Sequence, residues 1–206
     1  MFTIKSKTDG SVERYKARLV AKGFSQTYRI DYQETFAPVV KINSIRVLLS
    51  LAVNSNWPLH QLDVKNAFLN GDLEEEMFMS PPPGFEESFG VGKVCKLKKS
   101  LYGLKQSPRA WFERFGKVIK HYGYTQSQAD HTMFYKHSNE GKVVILIVYV
   151  DDIMLTGDDC NELEKLKGKL VEEFEIKNMG ALKYFLGMEF ARVQRRYLCK
   201  STEVCS

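Results

Sequence analysis

The stretch of sequence that decides the fold is residues 143–156, which read Val-Val-Ile-Leu-Ile-Val-Tyr-Val-Asp-Asp-Ile-Met-Leu-Thr. Its first half is a continuous, largely β-branched apolar run, which is typical of a strand buried on both faces. A second, shorter apolar run follows the two carboxylates. The pattern therefore predicts strands at residues 142–150 and Ile153–Thr156, joined by a turn at Asp151 and Asp152.

Four further elements flank this hairpin. Residues 59–64 are predicted to form a strand and residues 107–122 a helix, because a Ser-Pro start followed by apolar residues at helical spacing fits that structure. Residues 160–174 show the same helical spacing, and residues 183–190 are predicted to form a last strand. The order is β-α-β-β-α-β, the split βαβ or ferredoxin-like arrangement of an α+β protein.

This arrangement brings Asp63 to the tip of the hairpin. A right-handed crossover makes the first and second strands parallel, so the end of the first strand and the turn after the second lie at one edge of the sheet. Asp63 is near the end of the first strand. We therefore expect Asp63, Asp151 and Asp152 to meet, although an isolated Asp-Asp pair is more often an exposed acidic turn.

Three carboxylates at one edge predict a metal site. Mg²⁺ is a hard cation that prefers carboxylate oxygens, phosphates and water, and it relieves the repulsion between neighbouring carboxylates. Two such ions, about 3.5–4 Å apart, would support in-line phosphoryl transfer. The spacing alone fits a polymerase, a nuclease or a cyclase.

Composition and charge indicate a folded protein with a mild preference for anionic partners. The chain has 206 residues, of which 44% are hydrophobic, and its net charge is +5. The segment from Lys93 to Lys120 contains nine Lys or Arg residues and only one acid, Glu113. Aromatic residues interleave this basic block, as a groove for a phosphate backbone requires. The acidic run Asp72–Glu87 is interpreted as a solvated face.

The cysteines and the apolar runs exclude several classes of protein. The four cysteines form no C-x-x-C pair and have no zinc spacing, so neither a disulfide framework nor a structural zinc is expected, and a reducing compartment is favoured. No apolar run is long enough to cross a bilayer, and the N-terminus has no signal core. We expect an intracellular protein, cytoplasmic or nuclear, without a membrane partner.

Six segments of the chain resemble, in the same order, the reverse transcriptase domain of copia-type LTR retrotransposon Pol polyproteins. The six segments are Glu13–Phe24, Glu34–Val39, Gln61–Gly71, Ser100–Trp111, Tyr149–Asp152 and Leu182–Gly187. A four-residue motif alone is weak evidence, whereas six segments in the right order are very specific. The resemblance implies an RNA-directed DNA polymerase that uses dNTPs and a primer on an RNA or DNA template.

The resemblance also implies roles for the carboxylates. Asp63, Asp151 and Asp152 are similar to the catalytic metal ligands of the family, and Asp151 matches the more critical carboxylate of the adjacent pair. The backbone carbonyl of Val64 would complete the metal shell. The expected cofactor is a pair of Mg²⁺ ions, with Mn²⁺ as an alternative.

A group of residues resembles the dNTP-binding residues of the family. The group consists of Lys16, Arg18, Lys22, Phe68, Tyr102, Gly103 and Lys105. Phe68 matches the bulky residue that excludes a ribose 2′-hydroxyl, although core packing would also explain it. Lys16, Arg18 and Lys22 are spaced by even numbers, so all three could share one face of a strand.

A second group resembles the residues that contact primer and template. It consists of Tyr149, Leu186, Gly187 and Met188. Either Lys177 or Lys183 is expected to act as a general acid for pyrophosphate, and the sequence does not choose between them.

Several parts of the chain depart from the family pattern. The resemblance implies a palm over residues 58–197, with residues 65–106 inserted, and partial fingers over residues 1–57. We expect that a thumb is missing and that residues 198–206 form a divergent tail. We expect a truncated copy, which is either an active reverse transcriptase or a catalytically inactive remnant that at most binds nucleic acid. A two-metal nuclease is a third hypothesis, and the oligomeric state is not indicated.

Overall fold

The computed structural model describes residues 1–90, 92–193 and 196–201. The α-helices are α1 (Ile42–Asn54), α2 (Glu86–Phe89), α3 (Ser107–His121) and α4 (Cys160–Glu173). The strands are β1 (Phe2–Ser6), β2 (Val12–Ala17), β3 (Leu59–Val64), β4 (Asp72–Met79), β5 (Cys95–Lys99), β6 (Thr125–Gln126), β7 (Met133–His137), β8 (Val143–Tyr149), β9 (Asp152–Gly157), β10 (Ile176–Ala181), β11 (Tyr184–Phe185), β12 (Met188–Val193) and β13 (Arg196–Ser201).

The chain divides into two compact units. Unit 1 consists of Met1–Ala37 and Phe68–Phe115, and unit 2 consists of Pro38–Ala67 and Gly116–Ser206. Most of the segment interpreted as an insertion, residues 65–106, therefore groups with the N-terminal residues. Residues 202–206 of the expected tail lie outside the described part of the chain.

Unit 1 contains two antiparallel hairpins, β1–β2 and β4–β5. A small core of Met77, Leu101 and Leu104 forms in this unit. Helix α3 begins at Ser107, as the sequence predicts, and the Ser107 hydroxyl donates a hydrogen bond to the Leu101 carbonyl at 2.7 Å. That bond fixes the start of the helix to the preceding turn.

Unit 2 is built on a six-stranded sheet with the order β10-β3-β9-β8-β7-β6. Each neighbouring pair is antiparallel, so β3 and β8, which flank β9, run parallel to each other. In chain order, β3, α3, β8, β9, α4 and β10 occur as β-α-β-β-α-β, with β4, α2 and β5 between β3 and α3 and with β6 and β7 between α3 and β8. The mixed α and β architecture expected from the sequence is therefore confirmed.

The predicted last strand, residues 183–190, is wrong. The strand that pairs with β3 is β10, Ile176–Ala181, whereas β11 and β12 form a hairpin in a separate three-stranded sheet. Five of the six residues of β10 are exposed, and its Asn and Gly suggest a loop. An edge strand of this kind gives little hydrophobic signal, which is why the pattern did not indicate it.

The two faces of the large sheet have different coverings. Leu59, Ile147 and Met154 share one face, because they are cross-strand or alternate neighbours in the ladder. They pack in one cluster with residues of α1 and of the β11–β12 hairpin, namely Ile45, Leu48, Leu49, Ala52, Phe185, Met188 and Phe190. On the opposite face Ile153 and Leu155 are fully buried, and α4 contacts β9.

Helix α1 is anchored by a buried carboxylate from a distant loop. Asp130 is 1% exposed and accepts hydrogen bonds from the backbone N–H of Lys41 at 2.9 Å and from the Thr132 hydroxyl at 2.6 Å. Burial alone would raise the pKa of Asp130, but hydrogen bonds from Thr132, Lys41 and Ser44 hold it below its usual value. The ionised carboxylate therefore stabilises the start of α1.

Among the described residues, no helix is long and apolar enough to cross a bilayer. Cys95 is partly buried and Cys160 is exposed, and both are free thiols. Cys160 is the first residue of α4, where the side chain of Asp159 caps the helix by accepting from the Glu162 N–H at 3.0 Å.

Candidate active site

A row of four residues crosses the large sheet of unit 2 at one end. Asp63 on β3 is the direct cross-strand partner of Asp152 on β9. On the outer sides of this pair, Lys177 of β10 is opposite Asp63, and Tyr149 of β8 is opposite Asp152. Directly opposite residues of antiparallel strands project from the same face, so this row presents one surface.

The hairpin turn places Asp151 beside the row. Because Tyr149 pairs with Asp152, the two turn residues are Val150 and Asp151. The predicted turn at Asp151 and Asp152 is therefore shifted by one residue, and Asp152 is the first residue of β9. Val150 has φ = 53°, a conformation that β-branched residues rarely adopt.

A backbone hydrogen bond ties this turn to β3. The N–H of Val64 donates to the Asp151 carbonyl at 2.7 Å. Val64 is 1% exposed, so this bond lies at a buried strand end. The three predicted carboxylates thus occur together, two in the row and one in the turn that Val64 holds.

Gln61 is a site residue that the sequence reasoning missed. Its side-chain amide donates to Asp152 Oδ1 at 3.1 Å. Gln61 lies two residues before Asp63 on β3, and so on the same face. The spacing of two residues from Asp63 was the only sign in the sequence that Gln61 belongs to the site. A glutamine in an alternating strand does not by itself indicate a functional role.

The carboxylates repel one another electrostatically. The pKa of Asp152 is raised, first by burial and then by the neighbouring charges of Asp151 and Asp63, while the hydrogen bond from Gln61 acts in the opposite direction. A cation at this edge would relieve that repulsion, and carboxylate oxygens suit Mg²⁺ or Mn²⁺. In the described residues, however, no three His, Cys, Asp or Glu side chains are grouped so as to hold a metal ion.

Several predicted dNTP-binding residues meet in unit 1. The rings of Phe68 and Tyr102 have centroids 5.0 Å apart, and the Arg18 guanidinium lies 5.8 Å from the Tyr102 ring centroid. The Ala21 N–H donates to the Tyr102 carbonyl at 2.7 Å. Gly103 has φ = 92°, and any Cβ there would collide with the Ala21 carbonyl, so glycine is required.

The prediction that Lys16, Arg18 and Lys22 share a strand face is wrong. Strand β2 ends at Ala17, so only Lys16 belongs to it, opposite Thr3 of β1. Lys22 instead precedes a short 3-10 turn. It lines a cavity of about 490 Å³, whose wall also includes Val20, Gln26, Met77, Met79, Leu104 and the prolines at 81–83.

The match to known proteins decides the family. A family model described as reverse transcriptase (RNA-dependent DNA polymerase) matches residues 1–204. The chain belongs to this reverse transcriptase family. The predicted resemblance to the copia-type Pol domain is thereby confirmed, and the match extends past Tyr197, where the sequence was expected to diverge.

Three relatives illustrate the similarity. The chain is 46% identical over 205 residues to the retrovirus-related Pol polyprotein from transposon RE1 of Arabidopsis thaliana, which covers 96% of this chain and 14% of the relative. It is 46% identical over 192 residues to the retrovirus-related Pol polyprotein from transposon TNT 1-94 of Nicotiana tabacum. This match covers 93% of this chain and 14% of the relative. It is 32% identical over 211 residues to the transposon Ty1-H Gag-Pol polyprotein of Saccharomyces cerevisiae. This match covers 96% of this chain and 11% of the relative. The chain therefore spans about one seventh or less of these relatives.

Of the residues expected to contact primer and template, Tyr149 lies in the row, and the other three lie around the β11–β12 turn. Leu186 and Gly187 form this two-residue turn, with φ values of 48° and 74°, as a type I′ hairpin requires. Met188 is 5% exposed and packs in the core cluster. Of the two candidate general acids, Lys183 precedes this hairpin and lies outside the row. Lys177 lies in the row, opposite Asp63.

In this reverse transcriptase family member, Lys96, Lys99 and Arg109 of the basic block form ion pairs with acids. Lys99 contacts Asp72 at 2.5 Å, Lys96 contacts Glu76, and Arg109 contacts Glu75 at 3.0 Å. Asp72 and Glu76 stay 55% and 71% exposed in these pairs, which fits the interpretation of the acidic run as a solvated face, whereas the phosphate groove stays a prediction. The paired residues lie on β4, β5 and α3 of unit 1, where opposite charges lie close enough to pair.

The ammonium of Lys105 is also engaged within unit 1. It donates to the Gln26 carbonyl at 3.1 Å and to the Tyr32 hydroxyl at 3.4 Å, and it lies 5.0 Å from the Tyr32 ring centroid. In this arrangement Lys105 holds the loop that contains Gln26 and Tyr32. Its expected contact with a dNTP would require these bonds to be exchanged.

Proposed function

We propose that this chain is the polymerase part of a retrotransposon Pol protein and acts as an RNA-directed DNA polymerase. The proposal has one principal support: Asp63 and Asp152 are cross-strand partners, with Asp151 in the adjoining turn. In a member of the reverse transcriptase family, such a convergence suits nucleotidyl transfer from a dNTP to a primer 3′-hydroxyl. We assign the six-stranded sheet of unit 2 to the palm subdomain and unit 1 to the fingers subdomain.

The chain's own residues would hold the reacting groups. Asp63, Asp151 and Asp152, with the Val64 carbonyl, would bind two Mg²⁺ ions, or Mn²⁺ in their place. The bound ions would activate the 3′-hydroxyl and neutralise the phosphate charge. Gln61 orients the Asp152 carboxylate, and the Val64 hydrogen bond fixes the position of Asp151. Lys177 is placed to deliver a proton to the departing pyrophosphate.

Substrate selection is assigned to unit 1. Phe68, supported by the Tyr102 ring, would exclude the 2′-hydroxyl, which is the local difference between NTPs and dNTPs. The positive charges of Lys16, Arg18 and Lys22 would attract the triphosphate of the dNTP. Gly103 and Lys105 would line the dNTP pocket. Tyr149, Leu186 and Gly187 would contact the primer and template, and Met188, buried in the core cluster, would anchor the turn that carries Leu186 and Gly187.

The test is primer extension on an RNA template with dNTPs and Mg²⁺. The chain should extend the primer, and Asp151→Asn should abolish extension while it still folds. Glu140→Gln is a matched control, because Glu140 is an exposed acid in the loop between β7 and β8. It removes the same charge and should leave extension unchanged.

Other outcomes separate the remaining hypotheses. A folded parent that binds nucleic acid without extending a primer would indicate a catalytically inactive remnant. Cleavage of nucleic acid with Mg²⁺ but without dNTPs would instead indicate a two-metal nuclease. If the proposal holds, the protein works where its template is, in the cytoplasm or the nucleus.

A further inference from the structure

A buried polar network joins two segments of unit 1. One segment contains Gln26 and Asp31, and the other contains Lys105 and Gln106. The side chains of Gln26 and Gln106, which form the network, are 9% and 0% exposed. Two nearly buried amides next to an apolar core must be hydrogen-bonded, because an unpaired buried amide is strongly destabilising.

The two amides form a continuous set of hydrogen bonds. Gln26 Nε2 donates to Gln106 Oε1 at 3.0 Å, and Gln106 Nε2 donates to the Asp31 carbonyl at 3.1 Å. Gln26 Oε1 accepts the backbone N–H of Lys105 at 2.9 Å. The Gln26 carbonyl also accepts from the Lys105 ammonium. Gln26 therefore holds both the backbone and the side chain of Lys105.

The same contacts determine the position of the neighbouring turn. Lys105 follows Tyr102 and Gly103, and Gly23 packs so closely on the Gly103 carbonyl that a Cβ would collide with it. Gln26 also lines the cavity of about 490 Å³ together with Lys22 and Leu104, and that volume is in the range of ligand sites. A fully satisfied polar network specifies one arrangement, whereas apolar side chains would allow several.

We propose that Gln26 and Gln106 are positioning residues that hold the backbone of Lys105 and the Tyr102–Gly103 turn in the geometry needed for dNTP binding, while the Lys105 ammonium exchanges its own bonds. The proposal rests on the proposed function, because the dNTP is the ligand. Neither glutamine touches the dNTP in this account. Each acts through the segment it holds, so the expected effect is on dNTP affinity rather than on the chemical step.

The test measures binding of dTTP with Mg²⁺ by equilibrium dialysis. Gln26→Met removes the acceptor for the Lys105 N–H and should raise the dissociation constant about tenfold. Gln26→Glu keeps the acceptor for the Lys105 N–H but loses the donor to Gln106 Oε1, so it should restore part of the affinity. Gln126→Met is the control, because it makes the same change of side chain in unit 2, where the Gln126 amide donates to the His131 carbonyl.

Thermal unfolding and extension kinetics accompany the binding measurement. If Gln26→Met does not fold, Gln26→Asn replaces it, since the shorter amide keeps polarity but does not reach the Lys105 N–H. Extension by the folded variants should show a raised KM for dTTP with kcat nearly unchanged. A purely structural role would move the unfolding temperature without separating Gln26→Met from Gln26→Glu in dTTP affinity.

Two results would overturn the inference. One is an unchanged dTTP affinity in a folded Gln26→Met or Gln26→Asn, and the other is an equal loss in Gln26→Met and Gln26→Glu. A parent that binds dTTP but does not extend a primer rejects the proposed catalysis alone, and the binding data still decide the role of Gln26. A parent that does not bind dTTP overturns this inference.

Discussion

Asp63 and Asp152 are direct cross-strand partners, although they are far apart in the sequence. The pairing places both carboxylates on the face of the sheet that also carries Tyr149 and Gln61. Because the ladder determines which residues are opposite, the site depends on strand register rather than on loop conformation. The role of each neighbour of the pair can therefore be tested by a single substitution.

Gln61→Leu should lower kcat for primer extension about tenfold with little change in KM for the dNTP. The substitution removes the donor to Asp152 at 3.1 Å, and a hydrogen bond to a charged group contributes about 1.5–3 kcal/mol. Gln126→Leu removes a comparable amide bond far along the chain and should have no effect. Equal kcat values for parent and Gln61→Leu would show that Gln61 does not orient Asp152.

Lys177→Ala should lower kcat by about 10²-fold, the usual contribution of a general acid. Lys177 is the cross-strand partner of Asp63, whereas Lys183 lies outside the large sheet and provides a matched control. Single-turnover extension measures the chemical step for both variants. A larger loss in Lys183→Ala than in Lys177→Ala would reverse the assignment.

Phe68→Ala should allow the chain to incorporate ribonucleotides, raising the ratio of rNTP to dNTP use up to about 10²-fold. The substitution removes the ring that packs 5.0 Å from the Tyr102 ring. Phe85→Ala is the control, because Phe85 is in the same unit and 56% exposed. If Phe68 were only a packing residue, Phe68→Ala would lower stability and leave the nucleotide ratio as it was.

Asp130→Asn should destabilise the protein by about 1–3 kcal/mol at neutral pH, since a buried charged acceptor at the start of α1 is lost. The hydrogen bonds to Asp130 hold its folded-state pKa below the ordinary value of 3.8. The carboxylate's contribution is therefore fully present above about pH 4 and is lost as the pH falls through the folded pKa.

Urea unfolding of the parent and Asp130→Asn at neutral pH and at about pH 2.5 measures this effect. The difference between the two proteins should be large at neutral pH and small in acid. Asp158→Asn is a milder control, because Asp158 is exposed and accepts one backbone N–H, that of Val143, at 2.7 Å. A difference between parent and Asp130→Asn that does not depend on pH would show that ionisation of Asp130 is not responsible.

The sequence predicted the parts of the fold that bury long apolar patterns. The strand at residues 143–149 and helices α3 and α4 were recognised because their hydrophobic periodicity is unambiguous. The convergence of Asp63 with the hairpin followed from the handedness of one crossover. Strand β10 was not recognised, since an exposed edge strand has almost no hydrophobic pattern.

The finer features of the site required the structure. The turn at Val150 and Asp151 depends on a positive φ in a β-branched residue, which sequence statistics disfavour. The pairing of Lys96 and Lys99 with acids of β4 depends on which residues of that hairpin meet. Gln61, Gln26 and Gln106 are ordinary polar residues in the sequence, and only their burial and partners reveal what they do.

The four-strand row also limits which changes of length this protein tolerates. Inserting or deleting one residue within β9 would transfer Asp152 to the opposite face, where Ile153 and Leu155 are buried. A change of two residues would restore the face but displace the carboxylate by about 6.6 Å along the strand. The exposed loop at residues 138–142, in contrast, can gain or lose residues without altering that spacing. Length variation in descendants of this sequence should therefore be concentrated in such loops and be absent from β3 and β9.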